Sequence, residues 1–324
     1  MVIDVIIPVY NGGRYIKRCV ESVIDNSFLC KKKASVRITV IDDGSLDNTN
    51  IILQQLKNDY EKLKVYDQPN SGVSAARNLG IESTDGDYII FLDADDWLPE
   101  NAILNLANLA FDTQADVVFG KHSYCVGGCP VNSIVSGGLV FHQSGIINQY
   151  EDYFLARITP GIRAKMFKRD LFKHLRFPKA RIKWEDLAVV PALLAKADRI
   201  AYVDKCVYYY SAHFNTTVHD FLYRCDVFDV FRSLKILKTN LVDMWRYDDF
   251  RKEFRSMVVM HALFRVENIV TWIDTSKTKK EELIKSILDR LDRIYPNWRN
   301  DPILTDPEKK IQDSLFNLTV KKYL

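Results

Sequence analysis

Glycine and proline are scarce in this chain of 324 residues, at 13 and 10. That scarcity excludes collagen-like and low-complexity architectures. Cysteine is rarer still: Cys19, Cys30, Cys125, Cys129, Cys206 and Cys225 follow no framework spacing. Reduced thiols are expected, not a disulfide scaffold. Cys125 and Cys129 flank Val-Gly-Gly like half of a zinc site, but no second pair accompanies them. An excess of one charge is also missing, with 45 basic against 42 acidic residues and a net charge of +3. Nothing polycationic is present to capture nucleic acid. Nor does any window offer the ~20 uninterrupted apolar residues of a membrane span. The longest apolar stretch of the C-terminal part, 257–273, is broken by His261, Arg265, Glu267 and Asn268. The opening Met1-Val-Ile-Asp-Val-Ile-Ile-Pro has no basic n-region and no cleavage site, so it reads as a buried strand. These absences predict a cytoplasmic protein. A mildly basic C-terminal part stays compatible with peripheral contact at the inner face of the plasma membrane.

What is present is ordinary globular material, 47% hydrophobic and 27% charged. Its length is roughly two to three times that of one domain. The first 120 residues alternate two kinds of pattern. Apolar runs at Ile3–Val9, Val36–Ile41, Leu63–Tyr66 and Tyr88–Leu92 are too short for helices and read as strands. Between them, residues such as Tyr15, Ile16, Cys19, Val20 and Val23 recur at helical spacing, and so do 51–56 and 75–81. Such alternation predicts an α/β fold, a mostly parallel sheet with helices on both faces. Ligands of such sheets bind at the carboxyl ends of the strands. From 116 to 212 the pattern is mixed, with strands expected at 116–121, 139–142, 199–203 and 206–211 and a helix over 186–195. The stretch 127–138 reads as an exposed loop or hairpin. Beyond about residue 220 helices are expected at 224–245, 249–274, 279–294 and 309–323. The division that follows is 1–120, 121–218 as a second half of the same domain, and 219–324 as a helical C-terminal region.

Three strands end in the most polar segments of the chain: Pro8-Val-Tyr-Asn, Asp42-Asp-Gly-Ser and Asp93-Ala-Asp-Asp. In an extended segment Asp93 and Asp95 project to one side. Carboxylates that close repel unless a proton or cation sits between them. Oxygen-only ligands suit Mg2+ or Mn2+, which keeps positions open for phosphate oxygens. The plainer reading is an acidic turn, with Asp96 capping the helix after Pro99. Asp42 and Asp43 could present acceptors to a nucleotide, or Ser45 or Asp47 could simply cap a helix. Asn70-Ser-Gly-Val-Ser-Ala-Ala-Arg-Asn is a glycine turn opening a small-residue helix that carries Arg77, placed to meet a base or phosphate.

In this order, Pro8-Val-Tyr-Asn, Ile41-Asp-Asp-Gly-Ser, Asn70-Ser-Gly-Val-Ser-Ala-Ala-Arg-Asn and Phe91-Leu-Asp-Ala-Asp-Asp-Trp-Leu resemble the signature of the family-2 glycosyltransferases. These are inverting enzymes with the nucleotide-binding GT-A fold, and the type resembled builds bacterial surface polysaccharides. The resemblance is close over about 120 residues. It continues more loosely to about 215 through Lys165-Met-Phe-Lys-Arg, Phe177-Pro, Trp184-Glu-Asp and Tyr208-Tyr-Tyr. It implies a nucleoside-diphosphate-sugar donor, usually a UDP-sugar, bound by Pro8, Val9, Tyr10, Asn11, Asp42, Asp43, Ser45, Arg77, Asp93, Ala94 and Asp95. Tyr10, Asp42, Asp43 and Arg77 would hold the base. Asp93 would hold the ribose or assist the metal, and Asp95 would ligate Mn2+ or Mg2+. Lys165 and His213 are further donor-side candidates. Arg163-Ala164 replaces the family's usual Trp-Asn before Lys165.

Glu185-Asp186 matches the family's position for the catalytic base, with Asp186 the expected base and Glu185 its neighbour. Displacement at an anomeric carbon needs an acceptor hydroxyl relieved of its proton. Spacing alone reads equally as a carboxylate pair complementing a helix dipole. The signature and membrane spans of processive synthases are absent, so one hexosyl or N-acetylhexosaminyl unit is added per event. The acceptor implied is a saccharide, lipid-linked in the usual case, of capsule, exopolysaccharide or lipopolysaccharide. A sugar-1-phosphate nucleotidyltransferase is the alternative enzyme, although Asn11-Gly-Gly-Arg is slight for its phosphate loop. A nucleotide-sugar-binding scaffold without turnover is the non-enzyme alternative. The apolar stripe Val227, Phe228, Phe231, Leu234, Leu237 and Leu241 suits a core, a membrane-lying face or a homodimer interface.

Overall fold

The computed structural model describes residues 1–30, 34–126, 128–134, 141, 143–151, 153–211, 226–271 and 275–305. The chain divides into two compact units that are interleaved in sequence. Unit 1 takes Met1–Asn148, Gly161–Arg181 and Lys196–Ala212; unit 2 takes Gln149–Pro160, Ile182–Ala195 and His213–Leu324.

Unit 1 is built on a nine-stranded sheet. Its strands are β1 (Val2–Val9), β2 (Ser35–Asp42), β3 (Leu63–Asp67), β4 (Tyr88–Phe91), β5 (Val117–Val126), β6 (Cys129–Ile134), β7 (Gly145–Ile147), β8 (Lys165–Lys168) and β9 (Ile200–Ser211). The order is β3-β2-β1-β4-β8-β5-β9-β7, with β6 paired to β5. The parallel core expected from the alternation is β3-β2-β1-β4. Beyond β4 the sheet turns mixed, because β8 runs antiparallel to both β4 and β5. The period of two along β1 sorts its side chains. Ile3, Val5, Ile7 and Val9 join a core with Cys19, Val20 and Val23 of α1 (Ile16–Cys30), Leu53 and Leu56 of α2 (Thr49–Asp59), and Ile103 and Leu106 of α4 (Ala102–Thr113). On the opposite face α3 (Val73–Glu82) lies so near β1 that a Cβ at Gly80 would stand 2.3 Å from Cγ2 of Ile6. Only glycine admits that approach. Phe91 packs there edge-on against Phe172 and Phe177.

Strands expected separately at 199–203 and 206–211 are one strand, β9. Its register against β5 slips on both sides of Lys121. The slip lets Asp204 reach outward to an ion pair with Lys121 and a 2.8 Å bond from the Tyr202 hydroxyl. The expected hairpin after β5 is present as β6. Most of the strand expected at 139–142, and the helix at 309–323, lie outside the described residues.

Unit 2 is helical: α5 (Phe154–Arg157), α6 (Glu185–Lys196), α7 (Asp229–Asp243), α8 (Arg251–Thr271), α9 (Lys277–Ile294) and α10 (Pro302–Thr305). The stripe expected to be buried is buried at Val227, Leu234, Leu237 and Leu241. The helix expected to run to Trp245 stops at Asp243, and Trp245 has a left-handed φ of 58°. α8 is buried along most of its length and packs against α5, α7 and α9. Trp298, fully buried, ties the end of α9 back through Nε1 to Asp292 at 2.8 Å. Among the described residues no helix is long and apolar enough to cross a membrane.

Candidate active site

β1, β2 and β4 are parallel neighbours, so their carboxyl ends open on one edge of the sheet in unit 1. Pro8 and Val9 close β1, and the Val9 carbonyl accepts from the Asp43 amide at 2.8 Å. Tyr10 follows with its ring half exposed, and Asn11 turns the chain with a φ of 50°. The next amides are all engaged by the loop after β2. Asn11 donates to Ser45 Oγ at 2.8 Å, Gly12 to Thr49 Oγ1 at 3.0 Å and Gly13 to Asp47 Oδ2 at 3.0 Å. Asn11 Oδ1 accepts from the Leu46 amide in return. Ser45 does not take the cap position of α2 as the sequence allowed, whereas Asp47 Oδ1 accepts from the amide of Thr49, the first residue of α2, at 3.0 Å. Asn48 occupies that cap, without a side-chain bond.

Asp42 and Asp43 are both buried and each holds a loop. Asp42 Oδ1 accepts from the Ser45 amide at 2.9 Å, closing the turn. Asp43 accepts from the amides of Ser71 at 2.7 Å and Gly72 at 2.8 Å, and from Gln68 Nε2 at 2.6 Å. Gly72 has a φ of 92°, a conformation L side chains rarely adopt, and α3 starts directly behind it. The third segment is thereby drawn to the same edge. Arg77, buried on α3, bonds Asp93 Oδ1 through Nη2 at 3.0 Å and lies against the Phe177 ring. The residue expected at the base is thus tied to the acidic strand end.

That strand end carries Asp93, Asp95 and Asp96 within four residues. Asp96 does not cap the following helix, whose cap position is Asn101. It is fully buried and accepts from the Tyr208 hydroxyl at 2.6 Å and the Ser211 amide at 2.7 Å. Burial raises its pKa well above the carboxylate range, and Asp93 and Asp95 push it further up against those two hydrogen bonds. The buried Cys19 thiol is raised by burial and then by the same three carboxylates. The field at this edge is negative. Two cations answer it that the sequence did not single out for this place. Arg18 donates to the Asp95 carbonyl at 3.0 Å with its guanidinium 3.6 Å from the Trp97 ring. Arg163 lies 4.1 Å from the Tyr210 ring; burial would lower its pKa, but Tyr208, Asp93, Tyr210 and Asp96 together hold it up. Its signal in the sequence was the departure from Trp-Asn.

Lys165 lies in β8, 2% exposed, with Nζ on the carbonyls of Gly161 at 2.7 Å and Arg163 at 3.4 Å. Beside it His122 is kept neutral, its pKa lowered to about 4 by burial and then by Arg163 and Lys165. His213 lies outside the described residues. Glu185 and Asp186, in unit 2, open the first turn of α6 with both side chains half-buried. They follow Trp184, which has a φ of 65°.

Among the described residues no three His, Cys, Asp or Glu side chains converge as a metal cage. A cation at Asp93 and Asp95 would take one or two protein carboxylates and draw its remaining oxygens from a ligand and water. Mg2+ and Mn2+ are commonly held in this manner beside a diphosphate, and the negative field supplies the attraction. The residues fit the group.

A model of the family described as Glycosyl transferase family 2 matches residues 4–176. The chain belongs to that family. Similarity to named glycosyltransferases extends beyond the matched segment. Glycosyltransferase GlyG of Streptococcus pneumoniae is 26% identical over 295 residues, 82% of this chain and 91% of its own length. Glycosyltransferase GlyA of the same organism is 25% identical over 219 residues, which is 64% of this chain and 30% of GlyA. Minor teichoic acid biosynthesis protein GgaA of Bacillus subtilis is 29% identical over 215 residues, 64% of this chain and 46% of GgaA. The chain thus spans less than half of two of these relatives. Among solved structures, S. aureus TarS 1–349 in complex with UDP-GlcNAc superposes with a TM-score of 0.58 at 17% identity, over 90% of this chain and 92% of that one. That likeness is one of fold, the GT-A type. The protein is a family-2 glycosyltransferase.

Proposed function

We propose that this glycosyltransferase is inverting, metal-dependent and non-processive, and moves one sugar from a UDP-sugar to a saccharide acceptor of a cell-surface polymer. The observation that carries the reading is the acidic end of β4, where Arg77 holds Asp93 and the field left by Asp93, Asp95 and Asp96 calls for a cation. Asp93 and Asp95 would hold Mn2+ or Mg2+, which when bound neutralises charge on the departing diphosphate. Tyr10 offers a half-exposed ring to the base, and Asp42 and Asp43 fix the loops beside it. Asp186 takes the proton of the acceptor hydroxyl as that oxygen bonds to the anomeric carbon and the bond to the diphosphate breaks. Glu185 stands beside it, and Lys165 serves by holding the carbonyls of Gly161 and Arg163 in the loop that carries the Arg163 guanidinium. The UDP-GlcNAc bound by TarS and the teichoic acid role in the name of GgaA support the donor and acceptor classes.

The nucleotidyltransferase alternative needs free amides after β1 to cradle phosphates. Here those of Asn11, Gly12 and Gly13 are taken by Ser45, Thr49 and Asp47. Calorimetry with UDP, with and without Mn2+, tests the donor site, and a panel of UDP-sugars scored for slow hydrolysis identifies the sugar. Asp95→Asn is expected to abolish the metal-dependent part of UDP binding. Asp186→Asn should keep UDP binding and lose turnover by roughly a hundredfold or more. An Asp186→Asn protein of normal turnover would remove the base.

A further inference from the structure

The Glu185–Asp186 pair opens α6 directly after Trp184, a bulky residue held in the left-handed region at φ 65°. Such a conformation is unfavourable for an L residue with a Cβ and persists only where its surroundings over-determine it. In unit 2 two helices contribute to those surroundings. On one side α7 holds both backbone groups of Lys183, the residue before Trp184. Its amide donates to Asp229 Oδ2 at 3.1 Å, and its carbonyl accepts from Ser233 Oγ at 3.0 Å. On the other side α8 presents Arg265, whose guanidinium carbon lies 3.8 Å from the centre of the Trp184 ring.

Arg265 is an expensive residue for that place. It is 4% exposed, and burial draws its pKa down to about 9 against the opposing charge of Glu267. Its Nε has no hydrogen-bond partner. With the amide oxygen of Asn268 turned toward it, Nη1 and Nη2 donate there at 3.1 and 3.2 Å. A leucine would fill a helix-packing position without this desolvation. What the guanidinium adds is a planar, cationic lid over the indole, which fixes the ring's tilt as well as its position.

We infer that Arg265 is a positioning residue for the Glu185–Asp186 pair, acting through Trp184, and that the C-terminal helices contribute the mounting of the catalytic carboxylate. Arg265 touches no reacting atom in this scheme. It holds the left-handed turn from which the first turn of α6 projects, while Asp229 and Ser233 clamp the residue before it. The inference rests on the reading of Asp186 as the base.

The test compares Arg265→Met, which keeps the stem and removes the cation, with Arg265→Lys, which keeps a cation. Hydrogen exchange in the full chain is followed at the amides of 184–188 and across α8, alongside slow hydrolysis of UDP-GlcNAc and UDP-glucose. Arg265→Met should speed exchange at 184–188 by roughly tenfold, leave the middle of α8 unchanged, and lower kcat by about tenfold with donor KM nearly constant. Arg265→Lys should recover part of both losses. Unchanged exchange at 184–188 in Arg265→Met overturns the inference. So does faster exchange spread evenly through unit 2, which is the mark of an ordinary core contact. Asp186→Asn assayed in parallel separates the two readings. If it keeps its turnover the base assignment fails, and the exchange measurement still decides whether Arg265 holds the turn.

Discussion

The two units bury charge in opposite ways. In unit 1 the buried Asp4 and Arg77 are matched by opposite charges. Asp4, fully enclosed within β1, meets Arg37 at 2.7 Å, Arg169 at 3.2 Å and the Gly86 amide at 2.7 Å. Arg77 meets Asp93, and Asp96 is met by a hydroxyl and an amide. In unit 2, α8 buries Glu253 at 7% exposure and His261 at 6%, as well as Arg265, and no ion pair serves any of the three among the described residues. Matched ions stiffen a scaffold and tie distant segments together. Those without an opposite charge make stability depend on pH, since burial shifts each toward its neutral form. Asp4 should thus respond to losing a partner, and Glu253 and His261 to the proton concentration, as the buried Asp96 and His122 of unit 1 do.

The largest effect expected is at Asp4. Asp4→Ala leaves Arg169 and Arg37 without their shared carboxylate and should cost about 3–5 kcal/mol in urea unfolding. A cost near zero would erase the contrast between the units. Next comes Glu253, whose pKa burial raises to about 8 from an ordinary 4.5. The native state holds this proton more tightly than the unfolded chain, so its contribution is complete below pH 4.5 and declines as pH rises toward 8. That decline amounts to about 3 kcal/mol by pH 7, and Glu253→Gln should flatten it. Ser256→Ala removes the buried 2.6 Å bond to Asp301 and should cost about 1.5–3 kcal/mol. The smallest effect is at His261, lowered to about 3 from 6.5 by burial and then by Arg265. Here the native state binds the proton more weakly, so stability is lost as pH falls below 6.5. At pH 6 the loss is about 1 kcal/mol, and His261→Gln should remove it. Between about 4.5 and 6.5 the slopes of Glu253 and His261 oppose each other, and unit 2 should be most stable there.

The sequence displayed what is local. The apolar runs of β1, β2, β3 and β4, and the helices between them, were legible because periodicity is a property of neighbours. The same holds for the polar ends of three strands, which parallel pairing then brings to one edge. Pairings across long separations were illegible. Asp4 joins Arg169 across 165 positions, and Asp96 joins Tyr208 across 112. With only its neighbours in view, Asp96 resembles a helix cap. Ser45 misled for a similar reason, since a cap and a bond to the loop after β1 use the same oxygen, while Asp47 serves both, with Oδ2 on the Gly13 amide and Oδ1 on the Thr49 amide. Arg265 showed only as a break in an apolar stretch, because an arginine in a helix is ordinarily a surface residue.

The bonds that run from Ser45, Thr49 and Asp47 to the turn Asn11-Gly12-Gly13 carry a practical consequence. Two stretches of chain some thirty-five positions apart behave as a single cassette, each supplying what the other's backbone lacks. Anyone grafting a foreign turn into one of them to retune donor choice would have to transplant its counterpart as well.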